Sequence, residues 1–329
     1  MLRSVWLTVG AGIASAILFL TLIASPTVIG LLLNMVASLP VFMAGLAFGA
    51  RAAAIAGFVG MVVVLLGSAL VDTGGSWELA LSFLAWQCVA PTVLVRQALL
   101  SREAPDGEIE WFPAGHLLLW LTGLAGLGAV FVTYAYTAGD GGFSGALERE
   151  ILGQGSNALP PGTPPETEAT VRQALDLMAR ILPGVAAASF MVTMIANAAL
   201  AQGLLKRSGQ ALRPSPTYTE VELPPGWGGI LALGLAMALA VSATQTGTAE
   251  VIGLTAAILL ATPFLLMGLA VVHTLARRWP ARVLVLSTFY FLAVATVWLW
   301  LLVAILGLVE NWVGLRRRIA ASRPSRGEK

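Results

Sequence analysis

The sequence predicts an all-α, polytopic membrane protein with eight or nine transmembrane helices. Three observations carry that prediction. Of 329 residues, 57% are hydrophobic and only 11% charged, with a mean hydropathy of +0.84. A water-facing surface draws on roughly 25% charged residues, so this inventory does not cover one. The apolar residues are gathered in blocks of 18 to 27, the length that crosses a hydrocarbon core of about 30 Å. The remaining charges sit at the block ends, and in hydrocarbon a chain of this kind satisfies its backbone polar groups as helices.

Nine apolar segments follow in order. The first, 5–24, comes after Arg3 and exceeds the roughly 7–15-residue core of a signal peptide, so it reads as a retained span. Gly10 with Ala14 and Gly12 with Ala16 recur four apart along it, the spacing that lets helices approach closely, and they are the candidates for docking a partner. Segment 27–50 carries Asn34 and Pro40 and ends at Gly49, with Arg51 ahead of 52–71. Segment 77–100 holds Gln87 and the single Cys88, which rules out an intrachain disulfide and reads as a small buried packer. Segment 114–136 begins near His116, and 181–205 carries Asn197 and Gln202. Then come 228–245, 250–275 with Pro263 inside it, and 283–309 with Trp298 and Trp300.

Two hydrophilic stretches separate these blocks. In 137–180, Val171, Leu175, Met178 and Leu182 recur at helical spacing, while Arg172, Asp176 and Arg180 stand four apart on another face. The pattern predicts an amphipathic helix at the membrane surface, ending at Pro183-Gly184, and serving as a connector or a lid. The stretch 207–227 is Pro- and Ser-rich and predicts a flexible cytoplasmic linker. The expected organisation is a six-span unit over 1–206, that linker, a two- or three-span unit over 228–315, and a basic tail over 316–329.

Arginine placement orients the chain. With the N-terminus in the cytoplasm, Arg51, Arg96, Arg102, Lys206, Arg207, Arg213, Arg277, Arg278 and Arg282 all fall inside. The alternate loops carry Asp72, Glu78, Asp140, Glu148, Glu150, Glu166, Glu168, Asp176 and Glu250, with only Arg149, Arg172 and Arg180 on that side, in a long loop whose charge matters less to orientation. The rule then fails once. Nine crossings put the tail outside, yet it holds Arg316, Arg317, Arg318, Arg323, Arg326 and Lys329. Eight or nine crossings, and the side of the C-terminus, stay open.

Little here resembles chemistry. The net charge of +2 is spread over span ends, with no basic patch interleaved with aromatics, so nucleic acid is not an expected partner. GFSG at 142–145 matches the G-x-S-G of rhomboid-type proteases, but Ser144 precedes Glu148, Arg149 and Glu150 in a wet loop. His116 and His273 stand on distant segments without acids at ligand spacing. No catalytic residue, metal or cofactor is expected, and the chain is not expected to be an enzyme. The polar residues inside apolar blocks, Asn34, Gln87, Asn197 and Gln202, are the candidates for binding a substrate; the plainer reading makes them glue between helices.

Two stretches carry a family resemblance. SLPVFMAGLAFGARAAAIAG (38–57) is similar to the S components of energy-coupling-factor vitamin transporters, in which a proline-containing span leads through an FG-x-[KR] turn to a Gly/Ala-rich span. PFLLMGLAVVHTLARRWP (263–280), with ILGLVENWVGLRRR at 305–318, resembles the YybS-like family of bacterial integral membrane proteins, a domain family of unknown function. Pro40, Gly49, Arg51, Gly307, Glu310, Trp312 and Arg316 are the signature and topology positions. Glu310-Asn311 stands where that family's pattern has an acid, and the stretch reads as a boundary marker at the membrane surface, with the arginines in water.

The resemblance implies a bacterial inner-membrane, multi-pass protein that binds a small molecule for transport. Its expected partners are membrane lipid, other membrane subunits and a separate ATPase, since the chain has no Walker A motif. The alternative is a scaffold or regulatory protein of the envelope that takes no substrate.

Overall fold

The computed structural model describes residues 2–70, 76–137, 164–216 and 221–321, and it is helical almost throughout. Among the described residues, eight helices are long and apolar enough to cross a membrane, and one further pair qualifies jointly but is bent by 117°. The protein is therefore an all-α multi-pass membrane protein. Contacts gather the chain into two compact units, 1–121 with 190–217 and 122–189 with 218–329.

In the first unit, α1 (Leu2–Ala24) is followed by a span in two pieces, α2 (Val28–Met35) and α3 (Leu39–Phe48). Pro40 fits the break: at the start of α3 it has no N–H to return to the carbonyl of Val36, so the hydrogen-bond ladder of α2 does not run through it. Gly49, at φ +97°, closes α3, and Ala50 immediately begins α4 (Ala50–Leu70). Only glycine takes that conformation without strain, so the Gly49 turn joins two spans through a single residue.

The small-residue faces of α1 have separate fates. Gly12 and Ala16 are buried, and a Cβ on Gly12 would run into the carbonyl of Ala56 on α4. Gly10 and Ala14 are exposed, with nothing within 4 Å of a Cβ on Gly10. One face thus builds the unit and the other is left open.

The fourth span runs from α5 (Trp77–Phe83) through a π-helical turn, 84–89, into α6 (Ala90–Ala98). The extra residue of a π turn widens the helix locally. That bulge fits against glycines of α4: a Cβ on Gly57 would lie 2.7 Å from the Cβ of Cys88, and one on Gly60 2.7 Å from the ring of Phe83. Cys88 is buried in the core there, with Val41, Ala53, Ala56 and Phe83. A short hairpin of β1 (Ser101–Glu103) and β2 (Ile109–Trp111), turned at Gly107 and tied by Arg102 to Glu110 at 2.6 Å, leads to α7 (Ala114–Thr137).

Helix α8 (Pro165–Arg207) corrects one expectation. The amphipathic stretch and the following span form one 43-residue helix that passes through Pro183 without ending. Proline removes a single backbone bond, and Gly184 beside it packs closely, its Cβ position 2.8 Å from Ile258. Near the exposed end of this helix, Arg180 binds Asp176 at 2.6 Å and Glu250 at 3.0 Å.

The second unit is built on an antiparallel pair, α9 (Trp227–Thr244) and α10 (Thr248–Ala276): Gly253 lies against Ala238 and Ser242, and Gly234 against Leu260. The segment expected as a ninth straight span is two helices, α11 (Arg282–Ala295) and α12 (Val297–Val313), meeting at Thr296 with the 117° bend. Helix α12 packs on α10 where Gly307 and Gly268 bring backbone against backbone. A short α13 (Leu315–Ala321) follows Gly314, whose φ of +61° caps α12.

Candidate functional site

The polar residues of the first unit gather on the break between α2 and α3. With Pro40 unable to donate and Leu39 N–H turned to Val36, the carbonyl of Met35 loses its helical partner. Asn197 of α8 takes it, donating Nδ2 at 2.8 Å, with a second bond to Thr193 in its own helix at 3.0 Å. Ser15 of α1 donates its hydroxyl to the carbonyl of Ala37. Ser38 occupies the cap position of α3, yet its hydroxyl donates to Gln87 Oε1 in the π turn instead of capping the helix. Asn34 reaches back to the carbonyl of Phe19 at 3.4 Å. Side chains of α1 and α8 thus bond the carbonyls of Ala37 and Met35 at the break, and Gln87 of the π turn holds the Ser38 hydroxyl, each bond avoiding an unpaired polar group in hydrocarbon.

The site is uncharged: Ser15, Asn34, Ser38, Gln87 and Asn197 bear no formal charge. Asn197 is 2% exposed, and among the described residues its Oδ1 accepts no hydrogen bond. An unsatisfied buried acceptor costs about 1–3 kcal/mol. Gln87 spends its oxygen on Ser38 and keeps an amide donor. The cluster therefore offers one buried acceptor and one amide donor, the complement of a neutral solute.

Of the predicted binding residues, Gln87 and Asn197 bond to residues 35–38, Asn34 turns away to Phe19 of α1, and Gln202 lies elsewhere. Its Nε2 donates to the carbonyl of Arg213 at 2.7 Å, binding the loop after α8 back to that helix. Arg213 is buried, caps the last turn of α6 through Ala98 O at 2.9 Å, and has its pKa lowered by burial. Ser15 and Ser38 were not singled out in the sequence; Ser38, two residues before Pro40, carried the available signal.

The C-terminal signature forms a second polar centre. Gly314 turns the chain so that Arg316 folds back on Glu310, its Nε donating to Oε1 at 2.8 Å and its backbone N–H lying 3.3 and 3.4 Å from the two carboxylate oxygens. Both residues are 4% exposed, and Arg316 also donates to Val221 O at 2.9 Å. The expectation that the arginines stand in water is corrected at one position: Arg316 is buried in an ion pair with Glu310, whereas Arg317, Arg318 and Trp312 are exposed. Asn311 fills the space above Gly228, which explains that glycine.

The histidines stand apart from both centres, and the buried Nδ1 of His116 has no hydrogen-bond partner among the described residues. His116 stacks edge-on with Phe112, and His273 lies 2.9 Å from Leu269 O and 3.4 Å from the hydroxyl of Tyr290. Ser144 lies outside the described residues.

Residues 149–310 match the sequence model of a family described as a predicted membrane protein (DUF2232). That span takes in Asn197 and Gln202 and ends on Glu310, while Ser15, Asn34, Ser38 and Gln87 precede it. No curated protein and no solved structure matches the chain.

Proposed function

We propose that this chain, which belongs to the DUF2232 predicted membrane protein family through residues 149–310, binds a small neutral solute for transport across a bacterial inner membrane. One observation carries the reading: Gln87 and Asn197, two uncharged polar side chains from separate parts of the sequence, bond to a broken span, and Asn197 keeps a buried free acceptor. Discontinuous helices are where transporters build binding sites, because irregular backbone inside a membrane is tolerated where it is buried or lines a cavity. The π turn at Gln87 is a second departure from regular helix in the same cluster, and such turns recur at functional sites. Without charge, the site selects by hydrogen bonding and shape. Energy comes from a separate ATPase subunit on this reading.

The test is a thermal-shift screen of purified protein against neutral heterocycles and amides. The reading expects a compound that stabilises the wild type and whose effect falls at least tenfold in affinity in Gln87→Leu. A complete absence of hits, or a hit that binds the variant equally well, overturns it.

The alternative, a scaffold without a substrate, rests on the exposed Gly10–Ala14 face of α1. It expects a membrane partner to co-purify in mild detergent and to be lost in Ala14→Phe.

A further inference from the structure

We infer that residues 282–313 form a re-entrant hairpin, and that its mouth is a binding surface for anionic lipid headgroups on the cytoplasmic leaflet. At 1.5 Å per residue, the 14 residues of α11 and the 17 of α12 reach about 21 and 25 Å, each short of a core of about 30 Å. The two together, straightened, would be too long for one crossing, and they are bent by 117° instead.

Contacts at the ends decide which way the chain leaves. Arg278, just before the hairpin, donates through Nη2 to the carbonyl of Ile319, just after it. A crossing would hold those two residues a membrane thickness apart. The exit also meets the start of α9: Asn311 lies on Gly228, Arg316 binds Val221 O at 2.9 Å, and Arg317 approaches Glu222 at 3.5 Å. The antiparallel packing of α9 and α10 places the start of one and the end of the other on one side, so entry and exit share it. Eight crossings remain, and the tail that broke the arginine rule returns to the side the rule requires.

That return has a chemical consequence. Two arginine groups more than thirty residues apart in sequence, Arg277, Arg278 and Arg282 before the hairpin and Arg317 and Arg318 after it, are exposed at the same mouth. Trp279, 63% exposed, lies within the first group, between Arg278 and Arg282, and is suited to the headgroup layer. Glu222 offsets one of these charges through Arg317. A basic collar at this depth, with its stems in the interface, matches phosphate-bearing lipid heads, each arginine near such a surface strengthening attraction about fivefold.

Two measurements on the full chain test this. In a Cys88→Ala background, single cysteines at 155 and at 325 are labelled in intact cells by an impermeant maleimide. The cysteine at 155 is expected to react and that at 325 to be protected until the membrane is opened; equal reactivity of both overturns the hairpin. Purified protein is then titrated with phosphatidylglycerol, phosphatidylcholine and inorganic phosphate, reading thermal stability. Phosphatidylglycerol alone is expected to stabilise, and a triple variant, Arg282→Gln, Arg317→Gln and Arg318→Gln, to bind it on the order of 100-fold more weakly. These side chains are exposed, and Arg282→Gln alone provides a second, milder variant. Equal stabilisation by phosphatidylcholine, an unchanged variant, or an equal response to inorganic phosphate overturns the lipid surface.

Discussion

Two apolar segments of this protein are broken, and the chain treats the breaks in opposite ways. At 36–38 the interruption is largely buried, and Ser15, Asn197 and Gln87 arrive from other elements to bond the carbonyls of Ala37 and Met35 and the hydroxyl of Ser38. The two halves remain one span, Val28–Phe48. At Thr296 the interruption is uncovered, with Val294 and Val297 at its tip 85% and 82% exposed, and the chain reverses. There the polar residues stand at the exit of the hairpin, where Arg316 closes on Glu310. A break held from outside by side chains continues the span. A break held only by its own ends turns the chain back.

The contrast is broken most sharply at the ion pair. Glu310→Ala leaves Arg316 buried without its counter-charge, and losing one partner of a buried pair costs about 3–5 kcal/mol. Replacing both, Glu310→Met with Arg316→Met, is expected to recover most of that loss, because two desolvated charges are replaced by packing. Thermal unfolding of the three proteins in one detergent checks it. Equal damage by the single and double variants would show that the pair acts through something other than buried charge.

Next in size are the bonds that hold the first break. Asn197→Ala strands the carbonyl of Met35 and is expected to cost about 1–3 kcal/mol, while Ser15→Ala, removing one hydroxyl donor, costs about 1 kcal/mol. Because these side chains bond the same short segment, the double variant should depart from additivity. Strict additivity in unfolding measurements would separate the two carbonyls energetically and weaken the idea of one site. Packing around the π turn sharpens the same point. Gly57→Ala drives a methyl into Cys88, with a loss of about 1–3 kcal/mol from overpacking, and a compensating Cys88→Gly should relieve it.

How much of this stood in the sequence depends on whether a residue acts locally. The helices, the Gly49 turn and the presence of Asn34, Gln87 and Asn197 inside apolar blocks were legible, since block length, a glycine between spans and an amide among apolar residues are each visible in one place. What each amide bonds to was not. Asn197 meets Met35 across 162 positions of sequence, and nothing in either residue names the other. Gln202 shows the same limit from the other side, since an amide of identical type ties down a loop. The charge pattern did register the hairpin as a contradiction, an arginine tail on the wrong side of an odd count. Pro263 drew attention to 250–275, but that helix runs unbroken, and the reversal comes at Thr296, where no proline or glycine stands.

The smallest expected effect isolates the second break. Thr296 has extended backbone, φ −136° and ψ 106°, and lies exposed between two apolar helices. No side chain from elsewhere is bonded to that turn among the described residues, so Thr296→Ala should change stability by less than about 0.5 kcal/mol, the range of exposed substitutions. An alanine-rich tip that joined α11 and α12 into one straight helix would separate Arg278 from Ile319 and expose Arg316, at a cost near that of losing the ion pair. A near-silent Thr296→Ala beside a severe Glu310→Ala would place the energy of the reversal at its mouth. A severe Thr296→Ala would move it to the tip, and the two breaks would then be stabilised alike.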